Sequence, residues 1–139
     1  MDELPVVQID HSQLGSVKLL NVYVLQCQYG ASTMVPNMLA SDYSVHWLRR
    51  RLVVWQLRDV RLRSDQGATV CAVARRLQSV RTEAKTIVEE APVASHQSCG
   101  GVERWARLIG EEVRVVHCQL EQDLGGAIEE EWPVVAWLV

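Results

Sequence analysis

The chain contains no phenylalanine and only two lysines, Lys18 and Lys85. It nowhere carries the run of roughly 18 apolar residues that a membrane-spanning helix requires, so no span is expected. Its four cysteines, Cys27, Cys71, Cys99 and Cys118, form no C-x-x-C pair, and its four histidines are scattered. A structural zinc site draws on converging ligands in closely spaced pairs, and that pattern is missing. The cysteines therefore read as free thiols of a reducing compartment. There is no repeat, no low-complexity tract and no break in composition, so a single domain over residues 1–139 is expected. The opening segment MDELPVVQID is acidic where a signal peptide would be basic, which suggests an intracellular protein.

What is present is ordinary for a globular domain: 48% apolar and 22% charged residues. The formal net charge of -3 does not by itself favour a nucleic-acid partner. Distribution matters more than the sum, however. Twelve of the fourteen basic residues are arginine, and Arg49, Arg50 and Arg51 are consecutive. Such a run most simply forms a solvated helix face.

Hydrophobic periodicity divides the chain into alternating elements. Val6 to Asp10 and Val17 to Cys27 read as strands, the second rich in β-branched residues. Ala31 to Leu39 reads as a third, antiparallel strand, and Pro36 marks it as an edge. Ser41-Asp42 supplies a cap and an acid for a helix whose apolar face is Val45, Leu48, Leu52 and Trp55. Asp59 to Arg63 is a short alternating strand, Gly67 to Arg81 a helix, and Lys85 to Glu90 a fifth strand. From Gln97 a long helical stripe runs towards Gln122, and Gly125-Gly126 stops it. Ala127 to Leu138 is expected to be a last helix, interrupted or kinked near Pro133. The order implies an α/β fold with a mixed five-stranded sheet and helices on both faces. The first three strands should be antiparallel, and the strand before Asp65 should pair with the first.

Three acids sit where such sheets place chemistry. Asp10 ends the first strand. Asp65 follows the fourth, in Leu62-Arg63-Ser64-Asp65-Gln66-Gly67. Glu103 lies near the start of the long helix, after Gly100-Gly101, whose small size would let another backbone or a polymer approach. Carboxylates from three separate elements suit hard divalent ions and two-metal phosphoryl transfer. Spacing alone does not distinguish this from ordinary surface acids, since the chain has seventeen.

The surrounding residues add a resemblance. Val7-Gln8-Ile9-Asp10-His11, the block around Ser64-Asp65, and His96-Gln97-Ser98-Cys99-Gly100-Gly101-Val102-Glu103-Arg104 are together similar to the three signature blocks of the retroviral-type integrase catalytic core. The pattern most resembles integrases of long-terminal-repeat retrotransposons, copia-like ones among them. It extends from about Val6 to Gln122. The acids are separated by 55 residues (65 minus 10) and 38 residues (103 minus 65), intervals of the size that family shows.

The resemblance implies a ribonuclease H-like fold and a metal-binding catalytic triad of Asp10, Asp65 and Glu103 holding two Mg²⁺ or Mn²⁺ ions. It implies DNA 3′-end processing and strand transfer, with retrotransposon ends and target DNA as partners and a further copy of the chain as an oligomeric one. Action in the nucleus at the step of integration follows from the same likeness. It assigns DNA contacts to His96, Cys99, Arg104 and Arg107.

Plainer readings stand beside these. His96 suits a loop or cap, Ser95 and Ser98 suit helix caps, and Arg107 suits a charge-balancing surface role. His11 suits a solvated histidine as well as a neighbour of the first acid. Trp47, Trp55 and Trp105 suit the core better than base stacking. Cys99 departs from the family, which carries a polar amide there. The family's zinc-binding N-terminal module and basic C-terminal domain have no counterpart in these residues. Two further readings therefore stay open: a decayed relic keeping the fold and weak nucleic-acid binding, and a ribonuclease H-like nuclease.

Overall fold

The computed structural model describes residues 3–65, 67–90, 99–130 and 132–139. In the first strand, β1 (Val6–Leu14), Val7 and Ile9 point to one side and Gln8 and Asp10 to the other, as the twofold pleat requires. β1 turns back through Gly15, at φ 58°, into β2 (Val17–Val24). Leu14 faces Val17 across this two-residue turn, where a positive φ suits glycine. The turn accounts for a first strand longer than the apolar run Val6 to Asp10 suggests. His11 to Leu14 are polar or half-buried but are held by pairing to β2.

β3 (Tyr29–Val35) pairs antiparallel with β2. It lies at the sheet edge and ends immediately before Pro36, which has no N–H to donate to a ladder. Beyond it comes α1 (Asp42–Val54), which starts at Ser41 as expected: the Ser41 hydroxyl accepts from the Ser44 N–H at 3.2 Å. Arg51 lies in its last turn, where a cation complements the helix dipole. Of the arginine run, Arg49 pairs with Glu83 at 3.0 Å and Arg50 is exposed.

β4 (Val60–Ser64), α2 (Ala68–Val80) and β5 (Thr86–Glu90) follow, and the two strands extend the sheet beyond β1. β4 pairs parallel with β1, and β5 parallel with β4. The strand order is β3-β2-β1-β4-β5, so the mixed sheet expected from the element order is the one observed. Arg81, buried at the end of α2, donates to the Thr86 hydroxyl and to the carbonyls of Leu57 and Arg58. These bonds tie the end of α2 to the starts of β4 and β5.

α1 and α2 cover one sheet face. Their Leu48, Leu52, Val73 and Leu77 meet Val7, Ile9, Leu20, Val22 and Leu62 in the main core. Each of these fully buried side chains contributes about 1.5–3 kcal/mol relative to exposure. Trp47 and Trp55 pack half-buried on the margin of that core. The other face carries α3 (Gly100–Leu124), which lies on β1 and β2. Gly125 ends α3 in the left-handed conformation at φ 71°.

The last helix differs from expectation. α4 (Trp132–Leu138) is short, and residues 127–130 are not helical. Pro133 does not kink a longer helix. It falls in the first turn, where a missing N–H costs no hydrogen bond and the fixed φ suits a helix start. Val134 and Val135 of α4 join Val17, Leu19 and Val113 in the second core cluster.

Candidate functional site

β1 delivers Asp10 to the α3 face of the sheet, beside its cross-strand partner Asn21. β4 ends one residue before Asp65. Its pairing places Val6 opposite Arg61 and Gln8 opposite Arg63, so Asp10 and Asp65 each follow two residues after the last paired positions of adjacent parallel strands, Asp10 within β1 and Asp65 just past β4. Glu103 lies in the first turn of α3 and is exposed, as is Asp65. Three separate elements thus bring the three acids to one region.

Their mutual influence is electrostatic. The Asp10 carboxyl is raised from 3.8 to about 6, first by burial, then by the neighbouring Asp65 charge and, less, by Glu103. The backbone N–H of His11 donates to it and opposes the rise. Repulsion of this kind is what three gathered carboxylates produce without a counter-ion. The set is not closed, however. Among the described residues, no three His, Cys, Asp or Glu side chains stand together closely enough to hold one metal ion. The Asp65 Oδ1 accepts from the Gly67 N–H at 2.9 Å, an Asx turn that fixes this carboxylate to its own loop. In donor chemistry and charge the site fits a hard divalent cation. In geometry it is open.

The residues expected to contact DNA divide three ways. Arg104 and Arg107 are exposed on α3, and neither has an ion-pair partner among the described residues. His96 lies outside the described residues, as do Ser95 and Ser98. Cys99 is buried, 4% exposed, against Val102 and Tyr23, so it offers little surface to a DNA strand. Its thiol is pushed up to about 11 by burial, then by Asp10, Asp65 and Glu103, with Arg63 opposing. It stays protonated at neutral pH and is unsuited to be a nucleophile or a thiolate ligand. His11 lies half-buried on the opposite face from Asp10, with neither ring nitrogen bonded. Burial lowers its pKa and the Asp65 charge pulls the other way.

Several residues that surround this site are not singled out by the sequence pattern. Gln8, 1% exposed, accepts the Val102 N–H at 2.9 Å. Trp105 donates its indole N–H to Ser32 at 2.9 Å, Ser32 donates to Asn21 at 2.6 Å, and Asn21 donates to Ser12 at 2.9 Å. This polar ladder runs beneath α3, beside Asp10. Polar residues at 8, 21 and 32 within otherwise apolar strands are the one hint the sequence offers. Gly101 proves to serve this packing. A Cβ there would lie 2.7 Å from Gln8 Oε1 and 2.8 Å from Tyr23, so the close approach it permits is that of α3 to its own sheet.

No family model and no curated protein matches the chain. Among solved structures it is similar to the catalytic core domain of BIV integrase in crystal form I. The TM-score is 0.62 at 17% sequence identity, over 94% of this chain and 78% of that one. The chain has the fold of an integrase catalytic core. At that identity the likeness is one of architecture: the mixed sheet with helices on both faces. On this fold Asp65 follows the end of β4 and Glu103 lies in the first turn of α3, whereas Asp10 lies in the middle of β1, not at its end as the apolar run Val6 to Asp10 suggests. No described helix is long and apolar enough to cross a membrane.

Proposed function

We propose that the chain is the catalytic core of a retrotransposon integrase, processing DNA 3′ ends and joining them to a target. Asp10, Asp65 and Glu103 would hold the divalent ions, Mg²⁺ or Mn²⁺. Bound there, the ions supply activation of a water or 3′-hydroxyl nucleophile and stabilisation of the leaving oxygen. The observation that carries the reading is the raised Asp10 carboxyl, held up by burial and by two acids from distant elements on an integrase-core fold. An excess of negative charge at one end of the sheet is what a cation site requires before it is filled. The chain's own part is to converge three carboxylates from two strands and a helix, and to offer Arg104 and Arg107 to phosphates along one exposed helix face.

A second reading is favoured by specific observations. The metal set is open among the described residues, and Cys99 is buried. Both suit a relic that retains the fold after losing activity. Strand transfer of a labelled duplex end into plasmid DNA, with Mn²⁺, separates the two. Joining that disappears in Asp65→Asn supports the enzyme. No joining by the parent chain leaves the relic. Cleavage of an RNA–DNA hybrid in parallel would instead point to a ribonuclease H-like nuclease.

A further inference from the structure

Glu103 lies between two residues of α3 that are each fastened to the sheet. On one side, the Val102 N–H donates to Gln8 Oε1 at 2.9 Å. On the other, the Trp105 indole N–H donates to Ser32 Oγ at 2.9 Å. Ser32 is itself fixed by Asn21, and Asn21 by Ser12. Two attachments at different heights on one helix turn restrict both its rotation and its sliding.

The first attachment bears directly on the acids. Gln8 and Asp10 point to the same face of β1, two residues apart. Val102 and Glu103 are neighbours on α3. The path from one carboxylate to the other is therefore a short stretch of strand, one hydrogen bond and one step of helix. The glycines keep that path short. Any side chain at 101 would meet Gln8 and Tyr23, and one at 30 would strike the Trp105 ring at 2.5 Å.

We infer that Gln8 and Trp105 are positioning residues for the acidic site, clamping α3 so that Glu103 is presented at a fixed height beside Asp10. The inference rests on the metal-site reading proposed above. Gln8 and Trp105 lie outside the triad, so their loss should weaken the site without removing a carboxylate. Residues that orient metal ligands through an intermediate contact typically change metal affinity 10- to 100-fold when altered.

The test is direct Mn²⁺ binding to the whole chain, followed by the electron paramagnetic resonance signal of free Mn²⁺, with metal-free thermal melts alongside. Gln8→Met removes the acceptor and keeps the length. Trp105→Phe removes the donor and keeps an aromatic ring. Val113→Ala is the control, a core truncation of the same helix away from the clamp. The expected result is a loss of Mn²⁺ affinity of about 10-fold or more in both clamp variants. Val113→Ala should lower the melting temperature and leave affinity at the parental value. Clamp variants that melt lower but bind Mn²⁺ as the parent does would overturn the inference and leave the metal site standing. A parent chain that binds no Mn²⁺ would overturn both.

Discussion

Asp10 and Asp65 each stand two residues beyond Gln8 and Arg63, the last residues paired between the parallel strands β1 and β4. β1 and β4 pair with Val6 opposite Arg61 and Gln8 opposite Arg63. Asp65 lies just beyond the last residue of β4. The parallel pairing of β1 with β4 is what brings the two acids near each other. Asp65 is accordingly the larger of the two charged neighbours that raise Asp10.

Stability should therefore depend on pH through Asp10. Its carboxyl titrates near 3.8 when unperturbed and at about 6 in the fold, because burial and then Asp65 disfavour the charged form. The folded chain binds this proton more tightly than the unfolded chain does. Ionisation then costs stability as pH rises between the two values, and the whole penalty stands above about 6. Allowing for screening of a partly exposed group, the cost is about 1–2 kcal/mol. Metal-free denaturant melts of the parent and Asp10→Asn at pH 4 and pH 7.5 isolate it. Asp10→Asn should gain on the parent as pH rises, and an equal difference at both values would refute the assignment.

Gly101→Ala and Gly30→Ala should each destabilise the chain by about 1–3 kcal/mol, the usual cost of overpacking. At 101 the added methyl meets the Gln8 amide and Tyr23, and at 30 the flat of the Trp105 ring. Gly126→Ala, with open space around it, is the control and should change little. Urea midpoints at unchanged slope report the difference. Gly101→Ala as harmless as Gly126→Ala would mean that α3 does not lie this close to β1.

Much of the architecture was legible because it rests on local chemistry. The Ser41 cap, the Gly125 stop and the edge character announced by Pro36 each follow from one residue's backbone preferences. Parallel pairing of β4 with β1 follows from an intervening helix. What was hidden depends on partners far away in sequence. Gln8 meets Val102 at a separation of 94 residues, and Ser32 meets Trp105 at 73. No periodicity encodes such pairs. The two glycines before Glu103 looked like room for a polymer, yet Gly101 is filled by Gln8, Tyr23 and Leu25 of the chain itself. Cys99 shares a helix face with Glu103 by spacing, but its side chain turns into the contact with Val102 and Tyr23. The last helix is shorter than its sequence suggests because Pro133 can either kink a helix or begin one, and the packing of Val134 and Val135 decides.

DNA binding is expected to be weak, non-specific and salt-sensitive. Arg104 and Arg107 are exposed near Glu103 and have no ion-pair partner among the described residues, whereas Arg49, Arg61 and Arg63 are paired with glutamates. Few phosphate contacts imply a shallow slope of log affinity against log salt, on the order of -2 to -4. Removing one contact should reduce the slope by about 1. Fluorescence anisotropy of a labelled duplex at several salt concentrations measures it for the parent and Arg107→Ala. Unchanged affinity and slope in Arg107→Ala would remove this helix face from the interface.

The triad itself should couple metal binding to stability. Burial first, and then the Asp65 and Glu103 charges, raise the Asp10 carboxyl, and the set is open among the described residues. A divalent ion binding only the folded chain would relieve the repulsion, draw the carboxylates together and stabilise by mass action. At a concentration a hundredfold above its dissociation constant the gain is about 2.7 kcal/mol, or several degrees in melting temperature. Asp65→Asn and Glu103→Gln should each abolish most of that gain, because each deletes a ligand charge. Asp65→Asn should also raise the metal-free melting temperature slightly, since Asp65 is the stronger repulsive neighbour of Asp10. Glu129→Gln alters an exposed acid in the segment after α3 and should do neither. Thermal melts with and without Mn²⁺ for the four proteins decide the matter. An equal rise in all of them would place the ion elsewhere on the surface. No rise in any would show that these acids no longer gather a metal, and the relic reading would then be the right one.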